Sequence, residues 1–178
     1  MMFLFFVLLY IMICETIYIA MLHLYDNEVA RSLKAPKLAW LFYLLQFTWG
    51  LPMNIIGGLV ALILLCCGKR PKRHGWNIYF ELPVNFGLEL GIFFIAPVND
   101  SLHTKNHELG HSIQNIYFGP FTIGAVCIPS AARFWFLELM YRIRGEQETE
   151  YDAIWFEGQA TNSGTEFYRW YKEKGEDD

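Results

Sequence analysis

The string His107-Glu108-Leu109-Gly110-His111 decides how this chain is read, because it implies both a helix and a chemistry. Histidines four positions apart on an α-helix leave the same face one turn apart, so both imidazoles can grip one metal ion. The glutamate beside the first histidine can reach a water on that ion and take its proton. Asn99-Asp100-Ser101 offers capping side chains just upstream, and Gly119-Pro120 stops the segment downstream, so a helix is expected from about Leu102 to Tyr117.

A catalytic zinc site uses three protein ligands and keeps one position open. His103 continues the histidine stripe, but it is separated from His111 by about 12 Å of helical rise, too far to share one ion with both motif histidines. The third ligand is therefore expected downstream, where Glu148, Glu150, Asp152 and Glu157 lie. Glu157 is the best placed. A helix is expected from near Glu146 to about Tyr168, and on it Ala153, Glu157, Ala160 and Gly164 share one face. That stripe of small residues lets two helices approach closely, with Gly110 opposite. Glu150 is the alternative ligand. Otherwise Glu148 to Asp152 read as a solvated helix start, where acids favour the positive end of the dipole. An oxyanion or substrate contact would come from His103, Tyr117, Arg133 or Tyr151.

The rest of the chain reads as a membrane protein. Of its 178 residues, 54% are apolar and 17% aromatic, enough for one small helical bundle and too apolar for an average soluble domain. Met1 to Leu24 is interrupted only by Glu15 and His23, lacks a basic start and a small-residue cleavage site, and fits a spanning helix of ~20 residues. Glu15 is expected to point into the bundle. A second apolar stretch, Leu38 to Cys67, carries Gly50-Leu51-Pro52, which predicts a kink. The cluster Lys69-Arg70-Pro71-Lys72-Arg73 then marks a cytoplasmic loop. No basic, aromatic-interleaved surface appears, which argues against nucleic acid as a partner. Cys14, Cys66, Cys67 and Cys127 lie in or beside apolar runs and read as packing residues, not as a disulfide framework.

Between Gly75 and Pro97 the period changes to two. Trp76, Ile78, Phe80 and Leu82 alternate with more polar residues, and Phe86, Leu88, Leu90 and Ile92 do so again, which predicts a β-hairpin or two short strands. Phe121 to Met140 is apolar again but contains Pro129 and Arg133. An arginine at mid-bilayer is costly, so a path that re-enters at Pro129 or lies at the interface is expected here.

Glu157-Gly158-Gln159-Ala160-Thr161 resembles the E-x-x-A-D segment of gluzincin metallopeptidases. HELGHSIQNIYFGP (residues 107–120) and the later WFEGQATNSG also resemble small bacterial integral-membrane proteins with an H-E-x-G-H, a following G-P and a T-E-K-W-A-D-like run. The resemblance covers roughly residues 85–165 and is specific only at those two segments. It implies that His107, His111 and Glu157 are zinc ligands and Glu108 the general base. The aspartate that orients a ligand histidine in gluzincins is Thr161 here. A hydroxyl can accept the imidazole N–H but supplies no charge, and Asn162 is a possible substitute.

The expectation is a mainly α membrane protein: a transmembrane helix pair (1–67), a basic cytoplasmic loop (68–75), a zincin-like region with a small β-hairpin and the metal site (76–168), and a charged tail (169–178). Its expected function is that of an integral membrane zinc metallopeptidase of a bacterial inner or cell membrane, cutting a peptide near the cytoplasmic side. A silent metal-binding adaptor and a zinc hydrolase of lipid or another amide are the alternatives.

Overall fold

The computed structural model describes residues 2–24, 32–145 and 151–175. Helix α1, Met2–Leu24, is apolar all round and nearly all exposed, as suits a segment in lipid. Its Glu15 is exposed rather than turned into the bundle, because α1 packs through Tyr10, Cys14 and Tyr18 instead. The second apolar stretch breaks at the expected place into α2, Ala39–Phe47, and α3, Leu51–Cys66, bent by 92°. Pro52 sits in the first turn of α3, where a missing N–H costs nothing. The carbonyls freed at the bend are satisfied by side chains. Asn54 Nδ2 donates to Gln46 O at 2.9 Å and Gly50 O at 3.0 Å, and Asn115 Nδ2 donates to Gly50 O at 3.1 Å.

Four short strands follow: β1 Lys72–His74, β2 Asn77–Leu82, β3 Leu88–Leu90 and β4 Phe93–Pro97. They form one mixed sheet in the order β1-β2-β4-β3. This corrects the simple hairpin. The two longer strands, β2 and β4, run parallel, and β3 is antiparallel to β4 at the outer edge. The presumed basic loop is also partly strand, since Lys72 to His74 pair with β2. Alternation marked β2 and the short β3, while β1 and β4 fall outside the two alternating runs, and pairing depends on β3 passing to the far side of β4.

Helix α4, Leu102–Phe118, lies against the sheet and α2 and carries the motif. The Ser101 hydroxyl caps it by accepting from Thr104 N at 3.2 Å, and Gly119, at φ 55°, ends it. Next come a π-helical segment, Ile123–Cys127, and α5, Ile128–Arg144, which together make one continuous rod. There is no return at Pro129. The proline closely follows the π-helical segment, where the regular i→i−4 ladder is already interrupted. Met2–Leu24 and Ile123–Arg144 are both long and apolar enough to cross a membrane, and the bent α2–α3 pair makes a third candidate if taken as one span.

The last helix, α6, is Trp155–Glu173. It begins later than the sequence suggests, after a 3₁₀ turn at Tyr151–Ala153, and continues through half of the presumed tail. Ala153 therefore lies outside the helical stripe. Phe42, Trp76, Leu109, Ile113, Phe167 and Tyr171 fill the core where α2, the sheet, α4 and α6 meet.

Candidate metal centre

The two helices that carry the site touch backbone to backbone. A Cβ on Gly110 would overlap the Ala160 carbonyl, and a Cβ on Gly164 would overlap the Asn106 carbonyl. Larger residues at either position would hold the helices apart. The small stripe of α6 is thus Glu157, Ala160 and Gly164, and it brings a glutamate with few reachable atoms beside the α4 histidines.

His107, His111 and Glu157 are all buried, and their donor atoms close a triangle. His107 Nε2 and His111 Nε2 are 3.1 Å apart, and each faces Glu157 Oε2, at 3.0 and 3.2 Å. Ligand atoms that sit ~2.0 Å from a tetrahedral ion are about 3.3 Å from one another, so the triangle is nearly of binding size. The other Glu157 oxygen, Oε1, is buried without a hydrogen-bond partner. A buried carboxylate oxygen left unpaired is costly unless a cation balances it. The group could hold a metal ion.

The outer ring nitrogens are already engaged, which leaves the Nε2 lone pairs to face the triangle. His107 Nδ1 lies 2.8 Å from Thr161 Oγ1, and His111 Nδ1 lies 2.8 Å from Gln114 Oε1. Gln114 is fixed in that orientation because its Nε2 donates to Phe156 O at 2.8 Å and Gln159 Oε1 at 3.1 Å. Thr161 in turn donates to Asp152 Oδ2 at 2.8 Å.

The electrostatics of the triangle follow from its crowding. Burial alone would raise the Glu157 pKa, but hydrogen bonds from His107 and His111 hold it far below the usual carboxylate range. Burial alone would lower that of His111, but the Glu157 hydrogen bond and charge, with Glu108 and Glu89 behind them, push it up to about 10. The metal-free triangle is therefore an ion cluster, and a metal ion must displace its proton.

Glu108 is buried next to the triangle, with its pKa raised by burial against the opposing charges of His107 and His111. It is pressed from the other side by the loop before β3: a Cβ on Gly87 would overlap the Glu108 carboxyl. Both residues line a cavity of about 510 Å³ that also reaches His103, His107 and His111. One wall of this cavity is the edge strand β3, and the opposite wall is the face of α5 that carries Ala131, Phe134 and Trp135. Phe86 and Phe134 meet edge to face with ring centroids 6.0 Å apart. Glu89 is a second buried acid in this cavity. Burial pushes its pKa up to about 8, against His111 and the Gly91 N–H that its carboxylate accepts at 2.5 Å.

The structure brings His107, Glu108, His111, Glu157 and Thr161 together and puts His103 at the cavity rim, 3.4 Å from Asp152. Tyr117 is elsewhere: it is exposed, outside the cavity, and donates its hydroxyl to Lys34 O at 2.7 Å. Arg133 is on α5 outside the cavity lining, and Asn162 is exposed on α6 while Thr161 takes the histidine. Glu148, Glu150 and the Tyr151 side chain lie outside the described residues. Gln114, Gly87 and Glu89 are not marked as site residues by the sequence, and Asp152, one of the downstream carboxylates considered for the metal, stands behind Thr161 instead. Gln114 had a signal, since it lies one turn after His111 on the same helix face. The others are brought in by turns and a strand whose positions no local pattern encodes. No known protein family, curated protein or solved structure matches this chain.

Proposed function

We propose that the chain is an integral membrane zinc metallopeptidase that hydrolyses a peptide bond at or near the membrane surface. The observation that carries this reading is the meeting of two features: a buried His107-His111-Glu157 triangle of metal-binding size, whose two histidines line the cavity, and the buried Glu108 carboxyl that lines it with them. Two imidazoles and one carboxylate with an open side suit zinc used as a catalyst. When bound there, zinc would polarise a carbonyl and lower the pKa of water toward ~7.

The residues of the chain do the remaining work. His107, His111 and Glu157 hold the ion, and Glu108 takes a proton from the attacking water and returns it to the leaving amine. Burial raises the Glu108 pKa above the ordinary carboxylate value, which makes it a stronger base toward that proton. The edge strand β3 lines the cavity through Leu88 and Glu89, where an extended peptide could lie alongside it, and Phe86, Phe134 and Trp135 form an apolar wall for its side chains. His103 at the rim can contact the substrate. The apolar α1 and α5 support a membrane location, and the basic residues Lys69 to Arg73 after α3 support a site near its cytoplasmic side.

A purely structural or adaptor zinc site has no use for Glu108, which favours hydrolysis over the silent alternative. The test is cleavage of a quenched-fluorescent peptide library by zinc-loaded, detergent-purified protein. Wild type should cleave, and Glu108→Gln should keep its zinc and lose at least about a hundredfold in rate. Equal rates for the two proteins would overturn the reading.

A further inference from the structure

We propose that Asp152 is a positioning residue that orients His107 toward the metal, acting through the Thr161 hydroxyl. The inference rests on the metal-centre reading and supplies the carboxylate that the sequence lacks at position 161. Three groups stand in line: His107 Nδ1 to Thr161 Oγ1 at 2.8 Å, and Thr161 Oγ1 to Asp152 Oδ2 at 2.8 Å. The other Asp152 oxygen, Oδ1, is 3.9 Å from His107 Nδ1, so its charge is felt directly as well.

The chemistry of a hydroxyl makes the third group necessary. Thr161 has one proton and can either donate it to an imidazole nitrogen or accept from an imidazole N–H. If it donated to Nδ1, neutral His107 would carry its proton on Nε2, the atom that must face the metal. An ionised aspartate can only accept. Asp152 therefore claims the Thr161 proton and obliges Oγ1 to accept from His107 Nδ1–H. The Nε2 lone pair is then left facing Glu157 and His111. A negative charge behind the imidazole also makes it a better ligand.

The local fold serves this arrangement. Asp152 sits in the 3₁₀ turn that precedes α6, nine positions before Thr161, and reaches back along the helix to it. His103, from the first turn of α4, lies 3.4 Å from the same Asp152 oxygen and steadies it from the solvent side. The carboxylate thus joins the start of α4 to the start of α6 over the ligand it serves. A solvated helix start, the reading that acids at Glu148 to Asp152 invite, would not place one of them behind a ligand.

The test is metal affinity, measured by chelator competition with zinc and with cobalt on full-length protein in detergent. The variants are Asp152→Asn, Thr161→Val, the two combined, and Asp152→Asn combined with Thr161→Asp. Each single substitution should weaken binding by about 10- to 100-fold. The Asn/Val double variant should lose much less than the product of the two single effects, because the larger part of both acts through the Thr161 hydroxyl. The Asn/Asp double variant, with a carboxylate directly on His107, should recover most of the loss, and a merely structural Asp152 would not be rescued in this way. Wild-type affinity in Asp152→Asn, full multiplication of the two single effects, or no recovery in the Asn/Asp variant would overturn the proposal. A wild type that binds neither metal would overturn the metal-centre reading itself, and this inference with it.

Discussion

Gly110 of α4 rests on the Ala160 carbonyl of α6 with no space between them for a methyl group. Gly164 rests in the same way on the Asn106 carbonyl, so the metal triangle depends on two backbone contacts between helices. Gly110→Ala or Gly164→Ala should destabilise the protein by about 1–3 kcal/mol through overpacking. Either should also separate Glu157 from the histidines and cut zinc occupancy sharply. Gly58→Ala is the control, because a Cβ there meets nothing within 4 Å. It should leave zinc content unchanged. Thermal melting and metal analysis of the three variants check this, and full zinc occupancy in Gly110→Ala would contradict it.

Gln114 is expected to matter as a brace for His111. Its Oε1 meets the imidazole while its Nε2 is tied to α6 at Phe156 O, so truncation releases the ring and leaves buried polar groups unpaired. Gln114→Ala should weaken zinc binding by about 10- to 100-fold. Gln114→Glu keeps an acceptor for Nδ1 but sets an oxygen against the Phe156 and Gln159 acceptors, so it should not restore wild-type affinity. Chelator competition on wild type and the two variants reads the difference.

Metal binding should strengthen with pH. His111 holds a proton up to about pH 10 in the metal-free protein, and a metal ligand must be free of it. Glu157 stays ionised throughout, since its pKa is lowered, so it adds no slope in this range. Loss of one proton raises affinity about tenfold per pH unit. Zinc affinities from pH 7 to pH 9, corrected for the chelator and for zinc hydrolysis, should show that slope. A flat profile would contradict the raised His111 pKa and mean that no proton is displaced from the triangle over this range.

Gly87 is expected to govern the reaction without governing the metal. A methyl at this position would push on the Glu108 carboxyl, and Glu108 is not in the triangle. Gly87→Ala should retain zinc while kcat falls about tenfold or more, in keeping with the sensitivity of catalysis to small misplacements. Loss of zinc in this variant would place Glu108 among the ligands.

The parts of the site that were legible in the sequence are those set by helical periodicity. The spacing of His107 and His111, the Ser101 cap, the Gly119 stop and the small face around Glu157 are all local patterns. The bend at Gly50-Leu51-Pro52 was legible for the same reason. The parallel pairing of β2 with β4 was not, because alternation does not tell which strand lies beside which, and a sheet covered on both faces buries Asn77 and Tyr79 as well as Phe80. Nor was the unbroken run from Ile123 to Arg144, where Pro129 closely follows a π-helical segment. Asp152 escaped because a 3₁₀ turn, not the expected helix, aims it back at Thr161. The buried Gln46, Asn54 and Asn115 are polar residues in helices whose purpose is plain only at the bend they satisfy.

The most direct test of the central claim is zinc stoichiometry by elemental analysis after metal-replete expression, on wild type, His107→Ala, His111→Ala, Glu157→Ala and Glu108→Gln. The expected result is one zinc per chain in wild type and in Glu108→Gln, and a loss of most of it in the other three. A wild type without zinc, or a Glu157→Ala variant with full occupancy, would contradict a centre built from His107, His111 and Glu157.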